Sequence, residues 1–165
     1  VKQADGSFVG LASGKSKDET IHISDMPFGE AIQLVSTAGN TVAVTIEGKD
    51  YLGQKMVEQI TLNGATAVEG KKAFKLIEKV STAANATADI TIETKGVVGL
   101  EFCALGKDNI AKNGVADTTM AITVGSRTQS ATSADTRGTL DISSATAGDG
   151  QKNQDNIIIT IPITQ

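Results

Sequence analysis

The sequence predicts an all-β fold: a two-sheet, jelly-roll-like β-sandwich behind a flexible N-terminal arm. Three observations predict it. Apolar, often β-branched residues recur at every second position in many short segments. Punctuation between the segments comes from glycine, with 17 Gly against only 2 Pro. The two segments with some helical character also read better as strands.

Residues 1–17 are rich in Gly, Ser, Ala and Lys; beyond Val1, their sizeable apolar groups are Phe8, Val9 and Leu11. Such a segment cannot bury enough surface to hold a compact shape alone. It is expected to be mobile or pinned by a partner, and those three residues are the candidate contacts. Residues 18–165 are then a single sandwich domain, a length that can bury a core without staples.

Alternation begins with Ile21 and Ile23. In residues 26–34, Pro27 and Gly29 disfavour a helical turn and place a strand start near Glu30. Val42, Val44 and Ile46 alternate with Ala43 and Thr45. Residues 71–80 keep Phe74, Leu76 and Val80 in register as one strand, with Glu78 as a misfit. Further strands are expected at Ile90 and Ile92, at Met120, Ile122 and Val124, and at Leu140 and Ile142. The run 157–164 puts Ile157, Ile159, Ile161 and Ile163 on one face and Ile158 on the other, so cover from both sides is expected. Asn63 with Gly64 and Asn113 with Gly114 supply the positive φ of tight turns. Gly48, Gly70, Gly96, Gly125 and the Asp149 and Gly150 pair are expected to mark further breaks. Residues 125–138 and 143–156 hold few large apolar side chains and read as long surface loops, a common place for contacts.

Composition narrows the function. The net charge is -4, and no basic footprint for nucleic acid is present. With no Trp, one Tyr and four Phe, the aromatic faces that grip bases or sugars are scarce. No apolar run reaches the roughly 18 residues of a membrane-spanning helix, and the N-terminal residues lack the apolar core of a secretion signal. Cys103 is the one cysteine, which excludes an intrachain disulfide and fits assembly in the cytoplasm. It lies in an apolar run and is expected to be a buried small hydrophobe.

Candidate sites are few. Gly10-Leu11-Ala12-Ser13-Gly14-Lys15-Ser16 is similar to a phosphate-binding loop, but only three residues separate its glycines where four are needed. His22, the one histidine, sits at an outward strand position without a marked nucleophile. The carboxylate pairs Asp18 and Glu19, Glu47 and Asp50, and Asp135 and Asp141 could do acid–base work on sugars, although carboxylates at turns are common for local reasons. Asp149, Asn153 and Asp155 could hold calcium, but self-capping turns explain them more simply. The acceptor pattern Asn85-Ala86-Thr87 is short enough to arise by chance. No catalytic, metal or cofactor-binding residue is therefore assigned.

A resemblance adds to this reading. Val42-Ala43-Val44-Thr45-Ile46-Glu47-Gly48, then Asp50-Tyr51-Leu52-Gly53-Gln54, Glu58-Gln59-Ile60-Thr61-Leu62-Asn63-Gly64 and Val68-Glu69-Gly70-Lys71-Lys72-Ala73-Phe74 form one pattern of strands and turns. Gly96-Val97-Val98-Gly99-Leu100, Asp135-Thr136-Arg137-Gly138-Thr139 and Asp149-Gly150 continue it. Over about residues 40–150 the pattern resembles the capsid decoration, or cement, proteins of tailed bacteriophages. The resemblance implies a structural, non-enzymatic virion protein on the outer capsid surface. Its partners would be the major capsid protein and further copies of itself, as a homotrimer or else a dimer, with no nucleic acid, membrane or cofactor. It would bridge capsid subunits against the pressure of packed DNA, with Phe8, Val9 and Leu11 ordering on the capsid or a neighbouring subunit. Another virion part, a glycan-binding sandwich and a glycan hydrolase are the alternatives.

Overall fold

A computed structural model describes residues 8–9, 21–22, 28–104, 109–112, 114–116, 119–142 and 157–160. The described elements are all strands: β1 (Phe8–Val9), β2 (Ile21–His22), β3 (Glu30–Ser36), β4 (Ala43–Lys49), β5 (Lys55–Thr61), β6 (Val68–Phe74), β7 (Leu76–Thr82), β8 (Ile90–Gly99), β9 (Asn109–Lys112), β10 (Val115–Ala116), β11 (Ala121–Val124), β12 (Gly138–Asp141) and β13 (Ile157–Thr160). Every pairing is antiparallel.

One large sheet has the order β11-β12-β8-β3-β6, with β1 added along β8; a second has the order β2-β7-β4-β5. Their inner faces form the main core, which joins Ile32, Leu34, Phe74, Ile90 and Ile92 to Val44, Ile46, Met56, Ile60, Ile77 and Val80. This is the expected β-sandwich; the jelly-roll refinement rests on the resemblance alone. Alternation works as anticipated at Val44 and Ile46 on β4, which face inward; Gly48 continues that face, and on β5, a strand that the alternation did not single out, Met56, Glu58 and Ile60 face inward. Burying one such aliphatic side chain contributes about 1.5–3 kcal/mol.

A third sheet, β10-β9-β13, belongs to a second apolar cluster. There Ile110 meets Leu100, Ala104, Met120 and Leu140, with Val98, Ile122, Ile142 and Ile159 around them. Strand β8 serves both clusters. Its first half pairs with β3 and β1; past Gly96 it pairs with β12 on one side and meets β3 again at Glu30 on the other.

Several expectations need correction. Residues 71–80 are two strands in different sheets, because the chain turns the corner between sheets at Lys75. The misfit Glu78 lies at a bulge between β4 and β7, where its carboxylate meets Lys49 Nζ at 2.9 Å. Gly48, Gly70 and Gly96 lie inside strands rather than between them. A Cβ at Gly48 would run into the Leu76 carbonyl, and Gly96 takes a φ of 75° at the register shift between β3 and β8. Cys103 is exposed. Strand β8 ends at Gly99, and Leu100 and Ala104 take the buried positions while Glu101, Phe102 and Cys103 turn outward. Val124 also faces solvent, at the end of β11.

Candidate functional site

The open side of the sandwich lies between the outer edges of β5 and β6, one from each large sheet. Residues 126–137 cross it as a strap. The strap leaves the sheet at β11 and returns at β12, and the pairing of Val124 with Gly138 closes its base. Gly138 has a φ of 93°, a region that L side chains rarely adopt.

Inside the strap, serine and glutamine side chains replace regular structure. Gln129 Nε2 donates to the Ser126 carbonyl (2.5 Å), Ser130 N to Ser133 Oγ (3.1 Å) and Ser133 Oγ to the Ser130 carbonyl (3.2 Å). These local bonds explain why a Ser- and Thr-rich stretch holds a defined shape.

Both sheets grip it. Gln59 N on β5 donates to the Ala131 carbonyl at 2.7 Å. On β6, Lys72 Nζ donates to Gln129 Oε1 (3.1 Å) and to the Ser130 carbonyl (2.8 Å). The buried Asp135 accepts from Ala73 N at 3.2 Å, and its own N–H donates to the Lys71 carbonyl at 3.2 Å. The strap thus occupies backbone groups of two edges that would otherwise be templates for pairing with other chains.

Arg137 fastens the strap's return. Its guanidinium meets Asp50 Oδ2 at 2.9 Å, donates from Nε to the Leu100 carbonyl at 3.0 Å, and lies 4.5 Å from the centroid of the Tyr51 ring. Phe28 packs edge-on against that ring, with centroids 5.1 Å apart. Asp50 also accepts from Leu52 N (2.9 Å) and Gln54 N (2.8 Å), which sets the turn between β4 and β5. Because Asp50 and Arg137 are both largely buried, this pair is hydrogen-bonded on several sides, as buried charges must be.

Beneath the strap, Glu58 points inward from β5 at a position that alternation reserves for the core. Its carboxylate accepts from Lys71 N (2.5 Å) and Lys72 N (3.4 Å), where β6 is shifted in register against β3. Gly70 makes this approach possible, since a Cβ there would lie 2.6 Å from Glu58 Oε2. Burial pushes the Glu58 carboxyl up to about 7, against the backbone N–H groups and the charges of Lys72 and Lys71, which favour ionisation. Burial likewise holds the Lys72 ammonium below the usual lysine range, opposed by Glu58 and Asp135. A depression of about 190 Å³ beside Glu58, Glu69, Lys71 and Thr132 flanks the strap. A wider one of about 480 Å³, bounded by Asp50, Gln54, Lys72 and Ser130, lies on the other flank.

The expected carboxylate pairs fare differently. Glu47 pairs with Lys79 at 3.3 Å, while Asp50 holds Arg137. Asp135 fastens the strap and Asp141 sits in β12. The structure engages each separately. The pair Asp18 and Glu19, the loop with Asp149, Asn153 and Asp155, and the whole phosphate-loop-like segment, Leu11 included, lie outside the described residues. Phe8 and Val9 pair through their backbone with Ile92 and Thr91, and His22 with Leu76. Glu58 and Lys72 escaped the sequence reading. The available signal was a glutamate at the inward parity of Met56, Glu58 and Ile60. Among the described residues, no three His, Cys, Asp or Glu side chains are grouped to hold a metal ion. Comparison with protein-family models finds no match, and comparisons with curated proteins and with solved structures find none either.

Proposed function

We propose that the protein is a structural component of a tailed-phage virion, a decoration protein on the outer surface of the capsid. In this reading it binds the major capsid protein and further copies of itself, as a trimer, and braces the shell against internal pressure. The observation that supports it is the use made of the buried charges. Asp50, Lys72, Asp135 and Arg137 fasten one long loop to both sheets, and none of these contacts reaches outward. Long-range polar ties of this kind suit a block that must keep its shape under load. The resemblance over residues 40–150 supplies the specific virion role.

Many copies on one shell bind through multivalency, so each contact can be weak. Residues Phe8, Val9 and Leu11 would contribute the shell or neighbour contact. Purified full-length chain, mixed with DNA-filled heads stripped of outer proteins, should bind saturably. A chain lacking residues 1–17 should bind more weakly while keeping its fold. Equal binding by the truncated chain would remove the arm from the account, and no binding by the full chain would contradict the decoration reading.

A further inference from the structure

The described anchors of the strap are mainly polar, and its exposed side chains include Arg127, Thr128, Gln129, Ser130 and Thr132. Segments held this way open locally at lower cost than the core. Glycines stand at both of its ends. A Cβ at Gly125 would lie 2.5 Å from the Thr136 carbonyl, and Gly138 has its positive φ. We propose that residues 126–137 form a flap, hinged at Gly125 and Gly138, that stays seated over the β5 and β6 edges but opens locally more often when Glu58 is ionised than when it is neutral.

The geometry supplies the coupling. Glu58 neighbours Gln59, whose N–H holds Ala131 of the flap, and its carboxylate sits on the backbone of Lys72, whose ammonium holds Gln129 and Ser130. Ionised Glu58 competes with those two flap oxygens for the Lys72 ammonium. Ionisation also raises the cost of keeping the carboxylate dry, and lifting the flap admits water. The groups that face Glu58 are known from each neighbouring element. From β6, Lys71 and Lys72 favour ionisation, and Glu69 lines the same depression. From the flap, Asp135 acts through Lys72. Across β4 stands the apolar Ile46. Burial outweighs these favourable charges and holds the seated carboxyl up at about 7.

Amide hydrogen exchange, corrected for its intrinsic pH dependence, tests the proposal on the full chain at pH 5 and pH 8. The reporters are Gln59 N–H and Ala73 N–H, both bonded to the flap, with Leu34 N–H in the central strand as the control. Protection at the reporters should fall by at most about 70-fold from pH 5 to pH 8, the ratio for a carboxyl that returns to its ordinary range on opening. At both pH values Leu34 should stay better protected than the reporters, and E58Q should abolish the pH difference at the reporters. Equal protection of the reporters at both pH values, reporters as well protected as Leu34 at both, or a pH difference that survives in E58Q would overturn the proposal. If E58Q does not fold, the comparison of Gln59 with Leu34 in the natural chain decides alone.

Discussion

Between the two large sheets, Ile32, Leu34, Phe74, Val44, Ile46 and Ile77 bury apolar surface with no polar atom to satisfy. One strand away, along β5 and β6, the strap is held by a lysine, an aspartate, an arginine and backbone N–H groups. The two regions touch at Glu58, which belongs to the core by parity and to the strap by chemistry. The difference teaches where stability and local order come from. Apolar burial is non-directional and sets the free energy of the whole fold. Hydrogen bonds add a modest net amount each, but leaving one unmade is costly, so they fix one arrangement of the loop.

Perturbing the core should have the largest effect. Phe74→Ala is expected to cost about 3–5 kcal/mol, because the cavity spans the faces of both sheets. Urea unfolding measures it, and a loss below about 1 kcal/mol would deny Phe74 its central place. In the strap, Arg137→Met should cost about 2–3 kcal/mol by leaving Asp50 buried without its cation. If Arg137→Met is instead neutral, the pair is dispensable and the strap is held elsewhere.

The meeting point of the two regions has its own signature. Gly70→Ala should cost about 1–3 kcal/mol through crowding against the Glu58 carboxylate. The same change in an E58A background should cost less, since nearby sites couple. Additive losses would place the strain on the Ile32 carbonyl and Ile60 instead, both 3.0 Å from the added carbon.

Stability should also depend on pH through Glu58. Its carboxyl is raised from 4.5 to about 7 in the fold. Between these values the folded chain holds a proton that the unfolded chain has lost, so this stabilisation is fully present below 4.5 and is lost as pH rises through 7. The span is at most about 3 kcal/mol, and E58Q should remove it. Unfolding free energies from pH 5 to pH 8 check this, and an opposite slope attributable to Glu58 would contradict its burial. The smallest effect is expected at Cys103→Ser, within about 0.5 kcal/mol for an exposed side chain.

Much of the sandwich was legible because alternation reports a half-buried strand directly. Val44 and Ile46, Ile90 and Ile92, and the strand start at Glu30 follow from parity and turn chemistry. The corner at Lys75 was not legible, since Phe74, Leu76 and Val80 keep enough rhythm to hide a change of sheet. Glycines inside strands misled for a related reason: a residue that permits a turn equally permits a close approach, and only the partner backbone distinguishes them. By composition, residues 125–138 are a surface loop. Their role as a strap depends on Lys72, Asp135 and Arg137 reaching groups far away in sequence, which no local pattern encodes. Glu58 could have been found by parity, but its carboxyl's position near neutrality depends on the tertiary burial around it.

The proposed virion role is tested most directly by sedimenting a lysate of phage-producing cells through a density gradient and following the chain with an antibody. The chain should travel with full, DNA-containing particles. A chain that stays at the top with small proteins, even at low salt, would contradict that role.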